Sequence, residues 1–365
     1  MNSLEQARQT IDRIDRQMAE LFEQRMAAVK AVGEYKQANG LPILNPQREQ
    51  QVIEKNAQRI TDPLLREYYI RFLENNMSVS RAYQFRLAKG MKVAYSGVEG
   101  AFAHIAAGRI FPTAKLISYP DFADAYKAVT DGECDVAVLP MENSYAGEVG
   151  QVMDLMFSGT LTVSGVYELP ITHNLLGVKG ADKHHIRKVV SHPQALSQCA
   201  PYLKQQGIQT ESFANTALAA QFVAQQNDPT LGAVASKETA RLYGLTVLET
   251  NINSHRSNTT RFGVFTREEP IQHKERFLLT YTVKHEAGAL AKTISIIGKY
   301  GFNMCAMRSR PMKELLWQYY FYVEAEGDLN TPEGEAMLRE LAPLCDHLKV
   351  AGCFDHHGIL EETEE

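Results

Sequence analysis

The 365-residue sequence is poor in cysteine and has no apolar run of membrane-spanning length. Its five cysteines form an odd set without C-x-x-C spacing, so they suggest neither a disulfide framework nor a zinc site. The first residues lack a signal-peptide pattern, and with this cysteine usage we expect a reducing, cytoplasmic location. A net charge of −5 argues against nucleic acid as a general partner. These absences, with 44% hydrophobic residues, favour a soluble enzyme of two or three domains that has no membrane partner.

An apolar stripe with one charged exception runs through the first thirty-five residues. Its spacing of three and four residues places it on one face of a single helix about 50 Å long. Such a helix must pack against other long helices, and we expect these to include a second copy of the chain. The exception, Arg25, then needs a carboxylate partner, either a side chain or a ligand. The apolar positions are Leu4, Ala7, Ile11, Ile14, Met18, Leu21, Ala28, Val32 and Tyr35.

Further polar residues surround this stripe. Asn45-Pro46 and Asp62-Pro63 predict the starts of two more helices. Several cations with little local acid indicate a pocket for a small dianion. A buried ion pair, or a polar residue that sets coiled-coil register, would explain Arg25 alone equally well. The polar residues are Arg8, Lys36, Arg48, Glu49, Ser80 and Gln84.

With these residues, positions 1 to about 87 resemble the all-helical class of chorismate mutase. The resemblance implies that Arg8, contributed by a partner subunit, and Arg25 bind the two carboxylates of chorismate. It also implies that Arg48 and Ser80 complete the pocket. The rearrangement is pericyclic and needs no nucleophile, because fixing the reactive conformer and stabilising charge suffice.

The same resemblance assigns the reacting oxygens. Lys36 and Gln84 would meet the ether oxygen that breaks, and Glu49 would meet the ring hydroxyl. One departure is Asn45, where the family often has an acidic residue.

Beyond Gly90 the helical pattern gives way to short strand-like runs separated by helices. This alternation predicts an α/β domain whose ligand lies beyond the carboxyl ends of the strands. Polar turns follow these strands, but each alone has an ordinary explanation. Glu142 could be a helix N-terminal carboxylate, Gln198 part of a solvated face, and Thr260 a common strand residue. If Thr259 to Phe265 form a strand, Thr260 and Arg261 lie on opposite faces.

The set of motifs and its order resemble prephenate dehydratase over about residues 92 to 266. The resemblance implies two α/β lobes with the substrate between them, similar to periplasmic binding proteins. The family's essential threonine corresponds to Thr260. The motifs are Gly97-x-x-Gly100, Pro140-Met141-Glu142-Asn143-Ser144, the Ser191 to Cys199 stretch, Asn215-Thr216-Ala217, Tyr243-Gly244-Leu245 and Thr260-Arg261-Phe262.

The resemblance further implies binding or catalytic roles for Glu142, Asn143, Ser191 and Gln198. Prephenate would lose its ring carboxylate as CO2 and its hydroxyl as water, with Thr260 donating a hydrogen bond to the departing oxygen. Glu142 or a water could supply the proton, and no metal or organic cofactor is required.

One departure concerns the first turn of this region. Ala101 and Ala103 stand where the family commonly has hydroxyl residues, so one substrate hydrogen bond is missing or comes from Ser96.

After the charged linker Arg267-Glu268-Glu269-Pro270, the order strand-helix-strand-strand-helix-strand predicts a ferredoxin-like sandwich. It resembles an ACT domain, with Gly288-Ala289-Leu290 as the ligand loop and Ser309-Arg310-Pro311 as most of a second motif. Arg308 stands where that motif usually has glutamate. The resemblance implies that L-phenylalanine binds between two ACT domains as an allosteric inhibitor.

Together these patterns predict a multi-domain chain: mutase helices at 1–88, a two-lobed α/β dehydratase at 91–267, an α+β ACT domain at 275–355 and a solvated acidic tail at 356–365. The resemblances imply successive conversion of chorismate to prephenate and phenylpyruvate in a homodimer or higher oligomer. Two alternatives stay open. The middle region could be only a binding module for a small anion, and the first helices only a dimerisation coiled coil.

Overall fold

The computed structural model describes residues 3–254, 257–267, 274–312 and 318–361. The chain splits into two compact units, Met1–Met91 and Lys92–Glu365. We describe each unit by itself. Among the helices of the described residues, none is both long and apolar enough to cross a membrane.

The described part of the first unit contains the helices α1 (Ser3–Ala38), α2 (Pro46–Ala57) and α3 (Pro63–Lys89). The predicted helix starts are confirmed. The Asn45 side chain accepts a hydrogen bond from the backbone N–H of Arg48, and the Asp62 side chain accepts from the N–H groups of Leu64 and Leu65. These caps satisfy amides that have no partner inside the helix.

The apolar stripe on α1 is largely uncovered within the chain. Ile11 is 56% exposed, Leu21 61% and Tyr35 64%. A row of large apolar side chains in water is costly, and burying it against another surface would be favourable. The first unit therefore presents an apolar face for which this chain supplies only part of the packing.

The second unit contains two sheets and many short helices. Its strands are β1 (Lys92–Ser96), β2 (Lys115–Tyr119), β3 (Val136–Asn143), β4 (Gly147–Glu148), β5 (Thr162–Pro170), β6 (Asn174–Gly177), β7 (Lys188–Ser191), β8 (Gln209–Ser212), β9 (Leu231–Ala235), β10 (Thr246–Glu249), β11 (Thr259–Thr266), β12 (Arg276–Val283), β13 (Asn303–Pro311), β14 (Tyr319–Glu326), β15 (Cys345–Phe354) and β16 (His356–Ile359). Its helices are α4 (Phe102–Ile110), α5 (Phe122–Thr130), α6 (Gly150–Ser158), α7 (Pro193–Gln198), α8 (Ala200–Gln205), α9 (Thr216–Gln226), α10 (Lys237–Tyr243), α11 (Ala289–Lys299) and α12 (Pro332–Leu341).

Two lobes form the part of this unit that resembles the dehydratase, as predicted. The first lobe has the strand order β5-β11-β3-β1-β2 with helices α4 to α6, and β1 pairs in parallel with both β2 and β3. The second lobe is the five-stranded sheet β10-β6-β9-β7-β8 with helices α7 to α10. Each lobe has a buried, close-packed apolar core, and that of the first lobe also includes Leu278, Tyr322, Ala351 and Phe354 of the C-terminal strands.

The interpretation of residues 140–144 as a turn after a strand, with Glu142 at a helix N-terminus, is wrong. β3 continues through Asn143 because β11 pairs with it, with Thr260 opposite Asn143 and Arg261 opposite Glu142. The ladder shifts register between Arg261 and Phe262. This irregularity lies next to Thr260 in the sequence.

The C-terminal elements β12-α11-β13-β14-α12-β15 follow in the predicted order, and their strands lie in the order β13-β14-β12-β15. They continue the sheet of the first lobe, because β15 pairs with β5 at Gly352 and Val163. A β-carbon at Gly352 would lie 2.4 Å from the carbonyl oxygen of Val163, so the junction requires glycine.

The prediction of a solvated tail from residue 356 onward is wrong for residues 356–360. β16 pairs in parallel with β5, and Leu360 donates its N–H to the carbonyl of Glu168. Arg109 in turn donates to the Leu360 carbonyl at 2.9 Å. Of the predicted acidic residues, 362–365 lie outside the described residues, as do 268–270 of the predicted linker.

Candidate active sites

Arg25 in the first unit lies against α3. Its Nη1 donates to Oγ of Ser80 at 2.5 Å, and Ser80 donates onward to the carbonyl of Asn76 at 2.6 Å. Burial lowers the pKa of the Arg25 guanidinium, which nevertheless stays protonated at neutral pH. No carboxylate pairs with Arg25 among the described residues, so the cation is available to an acidic ligand.

Gln84 follows Ser80 one helical turn along α3, and both are buried, as their spacing predicted. Gln84 Nε2 donates to the carbonyl of Val29 at 3.0 Å. A β-carbon at Gly33 would lie 3.2 Å from Cγ of Gln84, so this close crossing of α1 and α3 favours glycine.

The other predicted residues of this unit are less tightly grouped. Lys36 Nζ donates to the carbonyl of Ile43, and Glu49 forms an ion pair with Arg81 at 2.5 Å. Sequence reasoning missed Arg81, although it directly follows Ser80. Arg48 is exposed.

Arg8 is also exposed and lies seventeen positions before Arg25 on α1, which is about 25 Å along the helix axis. One chain therefore does not bring Arg8 to Arg25. Between α1 and α3 lies a groove of about 950 Å³, lined by Arg25 and mainly apolar side chains that include Met18, Phe22 and Phe72.

A cleft between the two lobes of the second unit, here called the interlobe cleft, has a volume of about 450 Å³. Ser96 and Gly97 line it at the end of β1, Asn143 at the end of β3 and Thr260 at the start of β11, while Thr216 comes from the second lobe. This is the predicted position beyond the strand ends. Ala101 and Ala103 also line the cleft, so the hydroxyl groups that the resembled family commonly has at these positions are missing from the cleft wall.

Thr260 is held by a chain of buried side chains, here called the amide network: Thr260, Asn143, Asn258, Gln198 and His173. Asn143 Nδ2 donates to Oγ1 of Thr260 and to Oδ1 of Asn258, both at 2.9 Å. Asn258 Nδ2 donates to Oε1 of Gln198 at 3.0 Å, and His173 Nε2 lies 2.9 Å from the same oxygen. The network therefore joins residues of both lobes.

Burial lowers the pKa of His173 to about 4, so this histidine is neutral at neutral pH. Because Gln198 presents an oxygen, the proton of the neutral ring lies on Nε2. His173 lines the interlobe cleft and its ring packs edge-on against Phe102. Sequence reasoning missed both His173 and Asn258. Asn258 directly precedes Thr259-Thr260, but nothing local reveals its partners 60 and 115 residues away.

Two sequence predictions for this cleft need correction. The Gln198 side chain does not line it and is not a solvated face: the residue is 5% exposed and supports Asn258 and His173. Ser191 is fully buried, and its hydroxyl donates to the carbonyl of Val234 at 2.6 Å. Both residues support the walls of the cleft.

Glu142 is the third correction, because the structure does not bring it to Thr260. It lies on the opposite face of the sheet, where its Oε1 accepts from Arg308 at 2.6 Å and its Oε2 lies 3.9 Å from Arg261. Arg261 forms two hydrogen bonds of 2.8 Å with the buried Glu324. The predicted opposite orientation of Thr260 and Arg261 is thus confirmed, and Glu142 shares the face of Arg261.

The residues predicted to bind an effector do not converge within one chain. Gly288 begins α11 with a φ of +81°, and Ala289 and Leu290 line a cavity of about 620 Å³. Ser309, Arg310 and Pro311 belong to β13 and do not line that cavity.

Arg310 instead forms ion pairs with the first lobe. It lies 2.8 Å from Glu148 and 3.2 Å from Asp154. Arg308 likewise forms an ion pair with Glu142. Two arginines of β13 therefore bind carboxylates of the first lobe.

Comparisons with known proteins match both units of the chain. Residues 7–85 match the family model "Chorismate mutase type II", and residues 93–270 match "Prephenate dehydratase". A bifunctional chorismate mutase/prephenate dehydratase from Aquifex aeolicus is 31% identical over 370 residues, covering 99% of this chain and 100% of the relative.

Solved structures match nearly three quarters of the chain. GqqA, described as a novel type of quorum-quenching acylase, is 28% identical with a TM-score of 0.67, covering 72% of this chain and 97% of GqqA. A prephenate dehydratase from Arthrobacter aurescens in complex with L-Phe has a TM-score of 0.68 at 22% identity, covering 73% of this chain and 90% of that chain. The latter shows a shared fold.

Proposed function

We propose roles for individual residues from the premise that this chain belongs to the bifunctional chorismate mutase/prephenate dehydratase family. As a member, it catalyses the conversion of chorismate to prephenate and of prephenate to phenylpyruvate in phenylalanine biosynthesis. In our proposal residues 1–88 carry the mutase, 91–267 the dehydratase and 275–355 an ACT regulatory domain, in a cytoplasmic enzyme that needs no cofactor.

For the mutase we propose that Arg25 binds one carboxylate of chorismate and that Lys36 and Gln84 stabilise charge on the ether oxygen. Ser80 orients Arg25 through the hydrogen bond of 2.5 Å, while Glu49 and Arg48 complete the site. The proposal is supported by the unpaired guanidinium of Arg25 beside a groove, because a partly desolvated cation favours an anionic ligand.

We further propose that Arg8 reaches this site from a second copy of the chain. The exposed stripe on α1 and the distance of about 25 Å between Arg8 and Arg25 along the helix support this arrangement. Mixing two inactive variants, Arg8→Ala and Arg25→Ala, tests it. Hybrid dimers would each carry one intact site, so about a quarter of wild-type mutase activity should return after subunit exchange. No recovery, with hybrids demonstrated by a tag, would contradict the shared site.

For the dehydratase we propose that Thr260 donates a hydrogen bond to the departing hydroxyl of prephenate. The observation that carries this is the bond from Asn143 Nδ2 to Thr260 Oγ1, because it occupies a lone pair of the hydroxyl and leaves its proton free. As the carboxylate leaves as CO2, its bonding electrons enter the ring and the carbon–oxygen bond breaks. The hydroxide leaves as water after gaining a proton. With Glu142 on the other face, a water is the proton source we favour.

The acylase described for one solved relative is the alternative chemistry for the same cleft. Acyl transfer through Thr260 would need a base to accept its proton. Among the described residues, no basic side chain is hydrogen-bonded to Oγ1 of Thr260, since its partner is the Asn143 amide. This arrangement favours dehydration.

We also propose that L-phenylalanine inhibits the dehydratase from the region of the Gly288-Ala289-Leu290 loop. The cavity of about 620 Å³ beside Ala289 and Leu290, and the ion pairs that join β13 to the first lobe, support this role. Calorimetry with phenylalanine, tyrosine and tryptophan, combined with dehydratase assays, tests it. Absence of phenylalanine binding at millimolar concentration would make this region structural.

The whole proposal is tested by supplying chorismate alone. Phenylpyruvate should appear after a lag during which prephenate accumulates. Phenylpyruvate from supplied prephenate but not from chorismate would reject the mutase assignment, and prephenate accumulation without phenylpyruvate would reject the dehydratase assignment.

A further inference from the structure

We propose that Asn258 is a positioning residue for the dehydration step. It accepts one N–H of Asn143 and so holds in place the amide nitrogen that donates to Thr260 and leaves the hydroxyl proton of Thr260 free for the substrate. Asn258 is 5% exposed and does not line the interlobe cleft, so any effect on the reaction must pass through its neighbours. The inference rests on the proposed role of Thr260 as a hydrogen-bond donor.

The backbone fixes which end of the Asn143 amide faces Thr260. Asn143 Oδ1 accepts the N–H groups of Tyr145 at 3.0 Å and Ala146 at 2.9 Å, where the chain turns after β3. Only Oδ1 can accept two donors, so the amide nitrogen must point the other way. There it meets Asn258 Oδ1 and Thr260 Oγ1 at 2.9 Å each, and the Thr259 carbonyl at 3.2 Å.

This polarity determines what the Thr260 hydroxyl can do. A hydroxyl has one proton and two lone pairs, and Asn143 occupies one lone pair. Among the hydrogen bonds of the described residues, none uses the Thr260 proton. Because Thr260 is 8% exposed and lines the cleft, that proton is available to a ligand rather than to bulk water.

Asn258 supplies the acceptor that keeps one N–H of Asn143 in place, and its own orientation is set by the second lobe. Because Asn258 Oδ1 accepts from Asn143, its Nδ2 must donate to Gln198 Oε1, which lies at 3.0 Å and also 2.9 Å from Nε2 of His173. Gln198 ends α7 of the second lobe, whereas Asn143 and Thr260 belong to the first. The position of the acceptor that holds the Asn143 amide nitrogen thus depends on a contact between the lobes, whereas the N–H groups of Tyr145 and Ala146 set which end of that amide faces Thr260.

The variant Asn258→Asp tests this arrangement because it keeps the shape of the side chain. A protonated carboxyl can still accept from Asn143 and donate to Gln198, whereas a carboxylate would face the Gln198 oxygen without a proton. Burial raises the pKa of such a carboxyl. At pH 8 we expect kcat for prephenate to fall about 100-fold with KM changed less than about threefold. The ratio of variant to wild-type kcat should rise as the pH falls toward 6.

Asn174→Asp is the matched control. Asn174 is also buried, but it accepts from the N–H of Asn251 and donates to the carbonyl of Ala235. Asn174→Asp therefore introduces a buried carboxyl into the same unit at a side chain whose hydrogen bonds, among the described residues, do not involve the side chains of the amide network. Thermal unfolding should show similar losses of stability in both variants, while only Asn258→Asp shows the kcat loss and its recovery at lower pH.

A double-mutant cycle with Thr260→Ala separates this inference from the proposed function. If Asn258 acts through Thr260, adding Asn258→Asp to Thr260→Ala should not lower kcat further. Independent, multiplying losses would overturn the inference, as would an unchanged kcat or a pH-independent ratio in a folded Asn258→Asp variant. If Thr260→Ala alone retains full activity, the proposed role of Thr260 fails first.

Discussion

The polar residues of the first unit and those of the interlobe cleft differ in charge, burial and completeness. Around Arg25 the charged groups are mostly cations, partly exposed and spread over α1 and α2, and one chain does not bring Arg8 to them. Around Thr260 they are neutral amides, a hydroxyl and a neutral imidazole, buried and bonded to one another. The first arrangement attracts a dianion by charge, whereas the second fixes the direction of a few hydrogen bonds.

The difference suits the two reactions. A pericyclic rearrangement needs the substrate held in one conformer, and guanidinium and ammonium groups bind carboxylates strongly. Dehydration with loss of CO2 needs a donor aimed at one leaving oxygen, and a pre-organised donor in a water-poor site does this at low reorganisation cost. A mutation should therefore affect charge binding in the first unit and hydrogen-bond direction in the second.

The largest effect is expected for Arg25→Ala. Removing the guanidinium should lower mutase kcat/KM about 1,000-fold, because one substrate carboxylate loses a charge-assisted partner in a partly desolvated site. Dehydratase activity on supplied prephenate should stay near wild type. Arg16→Ala, exposed on the same helix, is the control. Normal turnover of chorismate by folded Arg25→Ala would reject the charge-binding role.

Thr260→Ala should affect only the dehydratase reaction. Loss of the single donor should lower dehydratase kcat by about 100- to 1,000-fold, and prephenate should accumulate when chorismate is supplied. Thr260→Ser should retain part of the activity because the hydroxyl survives. Thr259→Ala, its neighbour on β11, is the matched control. Full activity in both the alanine and serine variants at 260 would leave Thr260 a structural strand residue.

Local spacing in the sequence predicts the helices of the first unit but not all of its contacts, since the ion pair of Glu49 with Arg81 was missed. Arg25 interrupts a regular apolar stripe, and Asn45-Pro46 marks a helix start, so local spacing predicts both. The alternation of strands and helices likewise predicts the two lobes. The position of Glu142 could not be read from the sequence because a strand exposes alternate faces, and its face depends on pairing with β11 and on the register shift near Arg261. Ser191 lies in β7, which pairs with β8 and β9, and its hydroxyl is buried against the carbonyl of Val234. Asn258 finds its partners across the lobes, a contact that no local pattern encodes.

We expect low pH to reduce the folding stability of the second unit more than that of the first. Burial lowers the pKa of His173 to about 4, below the unfolded value of about 6.5. Between these values the unfolded chain binds more protons, so stability is present above about pH 6.5 and is lost as the pH falls toward 4. For this nearly inaccessible ring the loss amounts to about 3 kcal/mol.

Urea unfolding followed by dehydratase and mutase activity at pH 7 and pH 4.5 measures this loss. The dehydratase should lose resistance to urea as the pH falls, and His173→Gln should reduce that dependence. His184→Gln, an exposed histidine, should leave it unchanged. Equal pH dependence in wild type and His173→Gln would mean that another group is responsible.

The smallest effect is expected at β3, which carries a charged contact at Glu142 on the face away from the cleft and the neutral amide of Asn143 on the cleft face. Arg308 of β13 binds Glu142 at 2.6 Å, and the next residue, Asn143, directs the Thr260 hydroxyl from the cleft side. The Arg308–Glu142 ion pair on one face of β3 can therefore change the position of Asn143 and its hydrogen bond to Thr260 on the other face. We expect Arg308→Ala to raise the phenylalanine concentration for half inhibition about three- to tenfold, with little change in uninhibited kcat.

Glu142→Gln should weaken inhibition similarly, and the double variant should be no worse than either single variant, because both remove the same ion pair. Arg339→Ala, an exposed arginine on α12, is the control and should leave inhibition unchanged. If Arg308→Ala lowers kcat without phenylalanine but keeps its sensitivity to phenylalanine, the pair only supports the strand. Unchanged inhibition in both single variants, with additive losses of stability in the double variant, would likewise show that the Arg308–Glu142 ion pair does not affect the amide network.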